Sequence, residues 1–397
     1  MNERYQRRRL ARRTCAVLTA AVLAVSTAGA ASAADSRTHP PGPFRAELQA
    51  ALDDLRDLGV VGAQGTVSAG SREAAARSGT ADRRTGAPMP YDGRFRIGSN
   101  TKTFTSVVVL QLAGEGRLSL DDPIERWLPG VVSGNGHDGG RVTVRQLLQH
   151  TSGIFNYTND LPALASQEEF FQHRFDHYDP ADLVAVAMRH APDFAPGTGW
   201  GYSNTNYILA GMVIERVTGQ PWEAQVRSRI LRPLGLRDTS YPQDRPYLPA
   251  PSARAYQQFE PGGPLLDTTG FNPTAADAAG GLVSTTADLT RFWRALQRGE
   301  LLRPRQAAEL RDTVLADDLQ DIRSGVRYGL GVFWIPNRCG GFWAHPGDVP
   351  GTSTMNAVSA GGDRAVVLYR TTALADPAPS AAIDGRTLRL LDDVICG

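Results

Sequence analysis

The chain has 397 residues, 42 basic and 41 acidic, for a formal net charge of +1. Six arginines and one glutamate fall within the first 33 residues, so the remainder carries 36 basic against 40 acidic residues, a net charge of −4. That balance argues against nucleic acid or an anionic membrane surface as a partner, and the length suits one large domain or two intimately packed ones.

In chain order, residues 1–33 join an arginine block, an apolar stretch from about Ala16 to Ala30 and the small-residue run Ala31-Ser32-Ala33. This is the layout of a signal peptide cleaved after Ala33, so the mature protein, 34–397, is expected to be secreted into the extracellular or cell-wall space. Arg12 and Arg13 are compatible with twin-arginine export. No later segment reaches the roughly 20 consecutive apolar residues of a membrane helix. After the linker "SRTHPPGPF", "RAELQAALDDLRDLG" reads as an amphipathic helix, and "VVGAQGTVSAG" and "GRFRIGS" as short strands. Helical patterns broken by Pro and Gly fill the middle: "VTVRQLLQH", "PADLVAVAMRHA", "NTNYILAGMVIERVTG" and "TADLTRFWRALQRG". Then "YGLGVFWI", "GGFWAHPG", "GTSTMNAVS" and "RAVVLYRTT" read as strands between Gly turns, and "GRTLRLLDDVIC" as a closing helix. Strands at both ends with helices between predict an α/β (α+β) fold: an antiparallel sheet flanked by N- and C-terminal helices, about 44–97 and 320–397, and an all-helical part, about 98–319. A site is expected at their seam.

Cys15 lies in the leader, which leaves Cys339 and Cys396, an even pair suited to a disulfide in an oxidising compartment.

Three short clusters carry chemistry. In "GSNTK", a helix starting at Ser99 puts Lys102 one turn on and on the same face, where a desolvated amine could deprotonate the serine. Ser is also a favoured N-cap, and this motif alone reads better as a cap. In "GWGYSNTNY", Tyr202 and Asn204 pair a proton-transfer group with an amide able to orient a carbonyl. In "WAHPGDVPG", His345 is expected at the end of an edge strand. Gly347 there lets a substrate backbone approach, and the Asp348 N–H could pair with that of Ser99 as an oxyanion hole. His173 and His177 stand four apart and could touch a metal, but no third ligand follows downstream, so no metal or other cofactor is expected. His150 and Ser152 in "QHTSG" are neighbours in a turn, and no G-x-S-x-G elbow occurs in the sequence. A structural role is expected for both. Phe155, Tyr157 and Trp334 are candidates to line the cleft or to sit in the core.

The order S-x-x-K, Y-x-N, H-x-G, with "VRQLLQHTSGIFNYTND" and "ILRPLGLRDTSY", resembles the penicillin-recognising serine hydrolases, the class C β-lactamases and secreted D-alanyl-D-alanine carboxypeptidases, across nearly the whole mature chain. The resemblance implies a β-lactamase/transpeptidase-like fold and an acyl-enzyme on Ser99, with Lys102 and Tyr202 sharing acid and base roles. It further implies that His345 completes the proton network and that Asn204, Gly347 and Asp348 bind substrate. The carboxypeptidases it resembles also carry a C-terminal disulfide, matching Cys339 and Cys396. This chain departs from their pattern at four positions. Pro346 and Asp348 replace two threonines that help read a terminal carboxylate, Phe333 replaces an arginine, and an alanine replaces an aromatic before "GGLVST". The leading expectation is therefore a secreted, monomeric, penicillin-binding serine hydrolase of D-Ala-D-Ala carboxypeptidase type acting on small-molecule or peptide substrates. An esterase or D-amino-acid amidase or aminopeptidase of the same fold is the alternative, and a non-catalytic binding protein the third class.

Overall fold

The computed structural model describes residues 43–321 and 323–397. The expected leader and most of the linker after it lie outside the described residues. Helix α1, Pro43–Asp57, opens the described chain. It buries Leu48, Leu52 and Leu55, a stripe at helical spacing, against one face of a large sheet. Strands β1 (Gly62–Ala69), β2 (Arg72–Asp82) and β3 (Ala87–Pro88) follow and form one half of it.

The helical layer comes next. Helix α2, Thr101–Gly114, buries eleven of its residues, Lys102 among them, as expected of a helix surrounded by protein on all sides. Phe104 of α2 stacks on Phe292 with ring centroids 3.7 Å apart. Helix α3, Val144–Gln149, opens with a capping box between Thr143 and Gln146 and stops at His150, whose φ of 63° lies in the left-handed region. Helix α4, Thr205–Thr218, packs beside α2, and α5, Thr286–Gln297, is capped by Thr285, which accepts from the Asp288 N–H.

The remaining strands are β4 (Val314–Leu315), β5 (Arg327–Tyr328), β6 (Phe333–Ile335), β7 (Phe342–Ala344), β8 (Gly347–Val349), β9 (Thr352–Val358) and β10 (Arg364–Arg370). Together with β1–β3 they make an antiparallel sheet of order β4-β5-β6-β7-β9-β10-β1-β2-β3, with β8 paired to β9 alone. The register sets Gly347 opposite Thr354 and Asp348 opposite Ser353. Helix α6, Pro377–Cys396, buries Ile383, Thr387, Leu390 and Leu391 beside α1. The two terminal helices thus cover one face of the sheet and the helical layer the other. Cys339 and Cys396 are bonded, 57 residues apart with Cα atoms 5.6 Å apart, so the end of α6 is tied to the β6–β7 turn. By loop entropy such a closure contributes on the order of 4 kcal/mol.

Two local expectations are corrected. The α-helix begins at Thr101, preceded by a 3-10 turn over Gly98–Asn100, and no side chain caps it, so Ser99 is not an N-cap. His345 follows β7, which lies between β6 and β9 inside the sheet. The free edge next to it belongs to β8.

Candidate active site

The turn that carries Ser99 is held on one side by the chain at Leu282–Ser284. Phe95–Arg96 pairs with Val283–Ser284, the Ile97 N–H donates to Leu282 O (3.0 Å), and the Leu282 N–H donates to Thr101 Oγ1 (3.2 Å). These contacts fix the entry to α2. On the other side, β8 runs directly against the turn. A Cβ on Gly98, whose φ is +49°, would lie 2.8 Å from Asp348 N, and one on Gly347 would lie 2.0 Å from Ile97 O and 2.9 Å from Ser99 N. Glycine at both positions lets the two backbones touch, bringing the Ser99 and Asp348 amides side by side. Gly347, expected to admit a substrate backbone, admits the protein's own.

Lys102 is completely buried, and its Nζ meets three acceptors: Ser99 Oγ at 3.0 Å, Asn204 Oδ1 at 2.6 Å and Ala279 O at 2.7 Å. Burial, with no carboxylate to offset it, holds the amine well below its usual pKa. A neutral amine keeps two N–H donors and one lone pair. Asn204 and Ala279 can only accept, so the two donors go to them and the lone pair turns to the Ser99 hydroxyl, which then donates. An ammonium could donate to all three acceptors, so it is burial that favours the neutral form, the form a general base needs.

Asn204 is itself fixed, with Nδ2 donating to Asn156 Oδ1 (3.3 Å) and Thr158 Oγ1 (3.2 Å). Its amide, expected to hold substrate, is engaged by the protein, and only Oδ1 retains spare accepting capacity. Tyr202 is half-buried, with its ring centroid 5.0 Å from Lys102 Nζ and Ser99 among the groups that act on its hydroxyl. Desolvation raises its pKa, the Ser99 contact opposing, so the phenol keeps its proton.

His345, 1% exposed, has Nδ1 at 2.8 Å from Pro346 O and Nε2 at 2.9 Å from the Tyr328 hydroxyl. A carbonyl can only accept, so Nδ1 carries the proton and Tyr328 donates to Nε2. Burial, with the neighbouring Lys102, lowers this histidine to about 3. It is a neutral member of the network. Phe333 flanks it, 5.2 Å from the imidazole and 4.5 Å from the Tyr328 ring.

The expected residues Ser99, Lys102, Tyr202, Asn204, His345, Gly347 and Asp348 thus converge from three separate segments. Tyr328, Asn156, Thr158 and the Ala279 carbonyl were missed. Asn156 and Thr158 sit in "GIFNYTND", which offered a signal as a polar pair beside the candidate aromatics. Of those aromatics, Tyr157 is core, fully buried and donating to Ala275 O (2.6 Å). Trp334 packs on Trp343 (5.0 Å), and Phe155 stacks on His190 (3.8 Å). His173 and His177 make separate pairs, to Asp176 (2.7 Å) and Asp244 (2.6 Å).

Beyond Asp348 opens a cavity of about 640 Å³, walled by Leu164 and Gln167, by Phe259 and Glu260, and by Asp348 and Arg370. Asp348 and Glu260 are exposed; Arg370 gives Nη2 to Asp384 (2.7 Å), while its Nε and Nη1 have no hydrogen-bond partner among the described residues and its charge also acts on Asp348. With Asp384 beside them, the carboxylates around the cavity still outnumber this one cation.

Esterase EstB of Burkholderia gladioli is 37% identical over 207 residues, 51% of this chain and 52% of its own, so this chain spans about half the length of that relative. A D-stereospecific amidohydrolase from Streptomyces superposes with a TM-score of 0.78 at 42% identity, covering 86% of this chain and 97% of that one. The D-amino acid amidase of Ochrobactrum anthropi SV3 superposes at 0.74 with 27% identity, covering 87% and 99%. Among the described residues no helix is long and apolar enough to cross a membrane. A family model described as beta-lactamase matches residues 45–391, and with that the chain belongs to the β-lactamase family, as a serine hydrolase of the β-lactamase/transpeptidase-like fold.

Proposed function

We propose that the protein hydrolyses amides and esters of D-amino acids bearing a free ammonium, short D-peptides attacked from their N-terminus included, through an acyl-enzyme on Ser99. Lys102, neutral and aimed at the hydroxyl, takes the Ser99 proton as Oγ attacks the carbonyl carbon. The N–H groups of Ser99 and Asp348 stabilise the oxyanion. The proton passes by way of the Tyr202 hydroxyl to the leaving amine or alcohol as the scissile bond breaks, and water then returns the serine by the reverse path.

One observation supports the substrate reading: the exposed carboxylate of Asp348 follows Gly347 at the site and forms no salt bridge among the described residues, the nearby Arg370 making its ion pair with Asp384. The Asp348 carboxylate repels a substrate carboxylate and attracts an ammonium. The cavity it shares with Glu260 is lined neither by Ser99 nor by the proton-handling groups and meets the site through Asp348. Leaving groups depart on the side of Tyr202 and His345, so the cavity takes the acyl portion, where an N-terminal D-residue carries its ammonium. Pro346 and Phe333, which offer no donor to a terminal carboxylate, support this reading over D-Ala-D-Ala carboxypeptidase action. So do the amidohydrolase and amidase among the neighbours. The leader supports export, and the protein is proposed to work outside the cytoplasm as a monomer.

The test is steady-state hydrolysis of D-phenylalanine amide, its N-acetyl derivative, the L-enantiomer and diacetyl-Lys-D-Ala-D-Ala, with Ser99→Ala as control. The free D-amide is expected to exceed its N-acetyl form in kcat/KM by about 10-fold. Faster release of D-alanine from the tripeptide would sink the proposal.

A further inference from the structure

His150 belongs to no motif that the mechanism uses, yet it is among the most constrained residues near the site. It is completely buried, with a left-handed backbone that non-glycine residues seldom adopt. Its carbonyl accepts from the Gly201 N–H (3.0 Å), and its Nδ1 accepts from the Ser203 N–H (3.3 Å) and from Asn206 Nδ2 (3.1 Å). Asn206 is oriented in turn by Ser152, whose hydroxyl donates to Asn206 Oδ1 (2.6 Å). A backbone N–H can only donate, so Nδ1 is the lone-pair nitrogen and the ring proton sits on Nε2. That buried N–H has no hydrogen-bond partner among the described residues. Aromatic rings pack around the imidazole: Tyr202 at 4.3 Å, Tyr328 at 4.9 Å and Tyr207 at 5.3 Å between centroids.

A strained backbone and an orphaned buried donor are unfavourable features for a residue that only fills space, and such features gather where geometry is over-determined for function. Here all of them converge on one side chain. The residues on both sides of Tyr202 are bonded to His150, and the ring of Tyr202 lies against its imidazole. The same imidazole touches Tyr328, the partner of His345.

We infer that His150 is a positioning residue that clamps Tyr202 at Ser99 and ties it, through Tyr328, to His345. It acts without touching substrate. A protonated His150 would have to give up the Ser203 and Asn206 bonds, so the clamp requires the neutral ring. Burial, with Lys102 and His345 nearby, keeps it in that form.

The inference rests on the reading of Ser99 and Tyr202 as reacting groups, and a double-mutant cycle separates the two. His150→Phe keeps an aromatic ring but loses the acceptor. His150→Asn tolerates the left-handed backbone and guards against failure to fold, which circular dichroism and thermal melting monitor. Each is made in the wild-type and the Tyr202→Phe backgrounds and assayed on D-phenylalanine amide. In the wild-type background kcat is expected to fall by about 10²-fold with KM nearly unchanged, the scale of a small misplacement of a reacting group. In the Tyr202→Phe background the same substitutions are expected to cost less than about 3-fold, because the residue they position is already disabled. Equal losses in both backgrounds, or a loss confined to KM, overturn the role of His150. Full activity of Tyr202→Phe itself would instead overturn the parent mechanism.

Discussion

The two sides of Ser99 are built on opposite principles. On the proton-handling side, Lys102 and His345 are at most 1% exposed, and every polar atom of their side chains has a partner inside the protein. On the acyl side, Asp348 and Glu260 stand in water at the rim of a cavity. Burial is what makes a lysine neutral and a histidine incapable of competing for its proton, so the first side must be dry and complete before substrate arrives. A site that selects a charged ligand gains from staying hydrated and incomplete, since the ligand itself supplies the missing partner. Substitutions on the dry side should therefore act on kcat, and substitutions on the wet side on KM.

The largest effect tests whether both sides serve one nucleophile. Ser99→Ala should abolish fluorophosphonate labelling and lower kcat by at least about 10⁴-fold. Surviving label would place the nucleophile elsewhere. Lys102→Met, which removes the base, should lower kcat about 10³-fold while the KM for D-phenylalanine amide stays within about 3-fold; a change confined to KM would erase the contrast between the sides. On the wet side, Asp348→Asn should raise KM by about 3–10-fold for substrates with a free ammonium and leave N-acetylated ones unchanged, a comparison that initial rates settle. Equal effects on both would remove charge recognition from the picture. The smallest effect is on stability. His345 is depressed to about 3 in the folded protein, below its ordinary value, so the folded state binds this proton less readily than the unfolded one. Its contribution is full above about pH 6.5 and fades as the pH falls towards 3. Melting temperature should thus decline on acidification across that range less steeply in His345→Gln than in wild type, and parallel slopes would show that His345 is not buried neutral.

How much of this the sequence revealed depended on distance along the chain. Ser99 and Lys102 were legible because one helical turn joins them. Tyr202 and His345 were legible through order and residue type; Phe333, read as standing where an arginine was expected, flanks His345. Sheet and helical layers followed from periodicity. Tyr328 was hidden: it reaches His345 through the pairing of β5, β6 and β7, and register across three strands cannot be read from any one of them. The charge of the acyl cavity was hidden for the same reason, because Leu164, Glu260 and Asp348 meet only in the folded chain. Ser99 read by itself as a cap because the serine preference of helix starts and the serine of a nucleophile look alike; the later motifs pointed to the nucleophile, and the 3-10 turn removes the cap. His150 read as a turn residue, which it is, but its three partners lie more than fifty positions away.

The contact between Gly98 and Gly347 has a temporal meaning as well as a geometric one. The oxyanion site takes one amide from each side of that contact, so it does not exist until residue 347 has been synthesised and β8 has docked on the turn before α2. A nascent chain can carry Ser99 and Lys102 for most of its elongation without a place to stabilise the charge their reaction creates. The order of the motifs along the polypeptide therefore leaves the completion of this pair of amides to one of the last strands made.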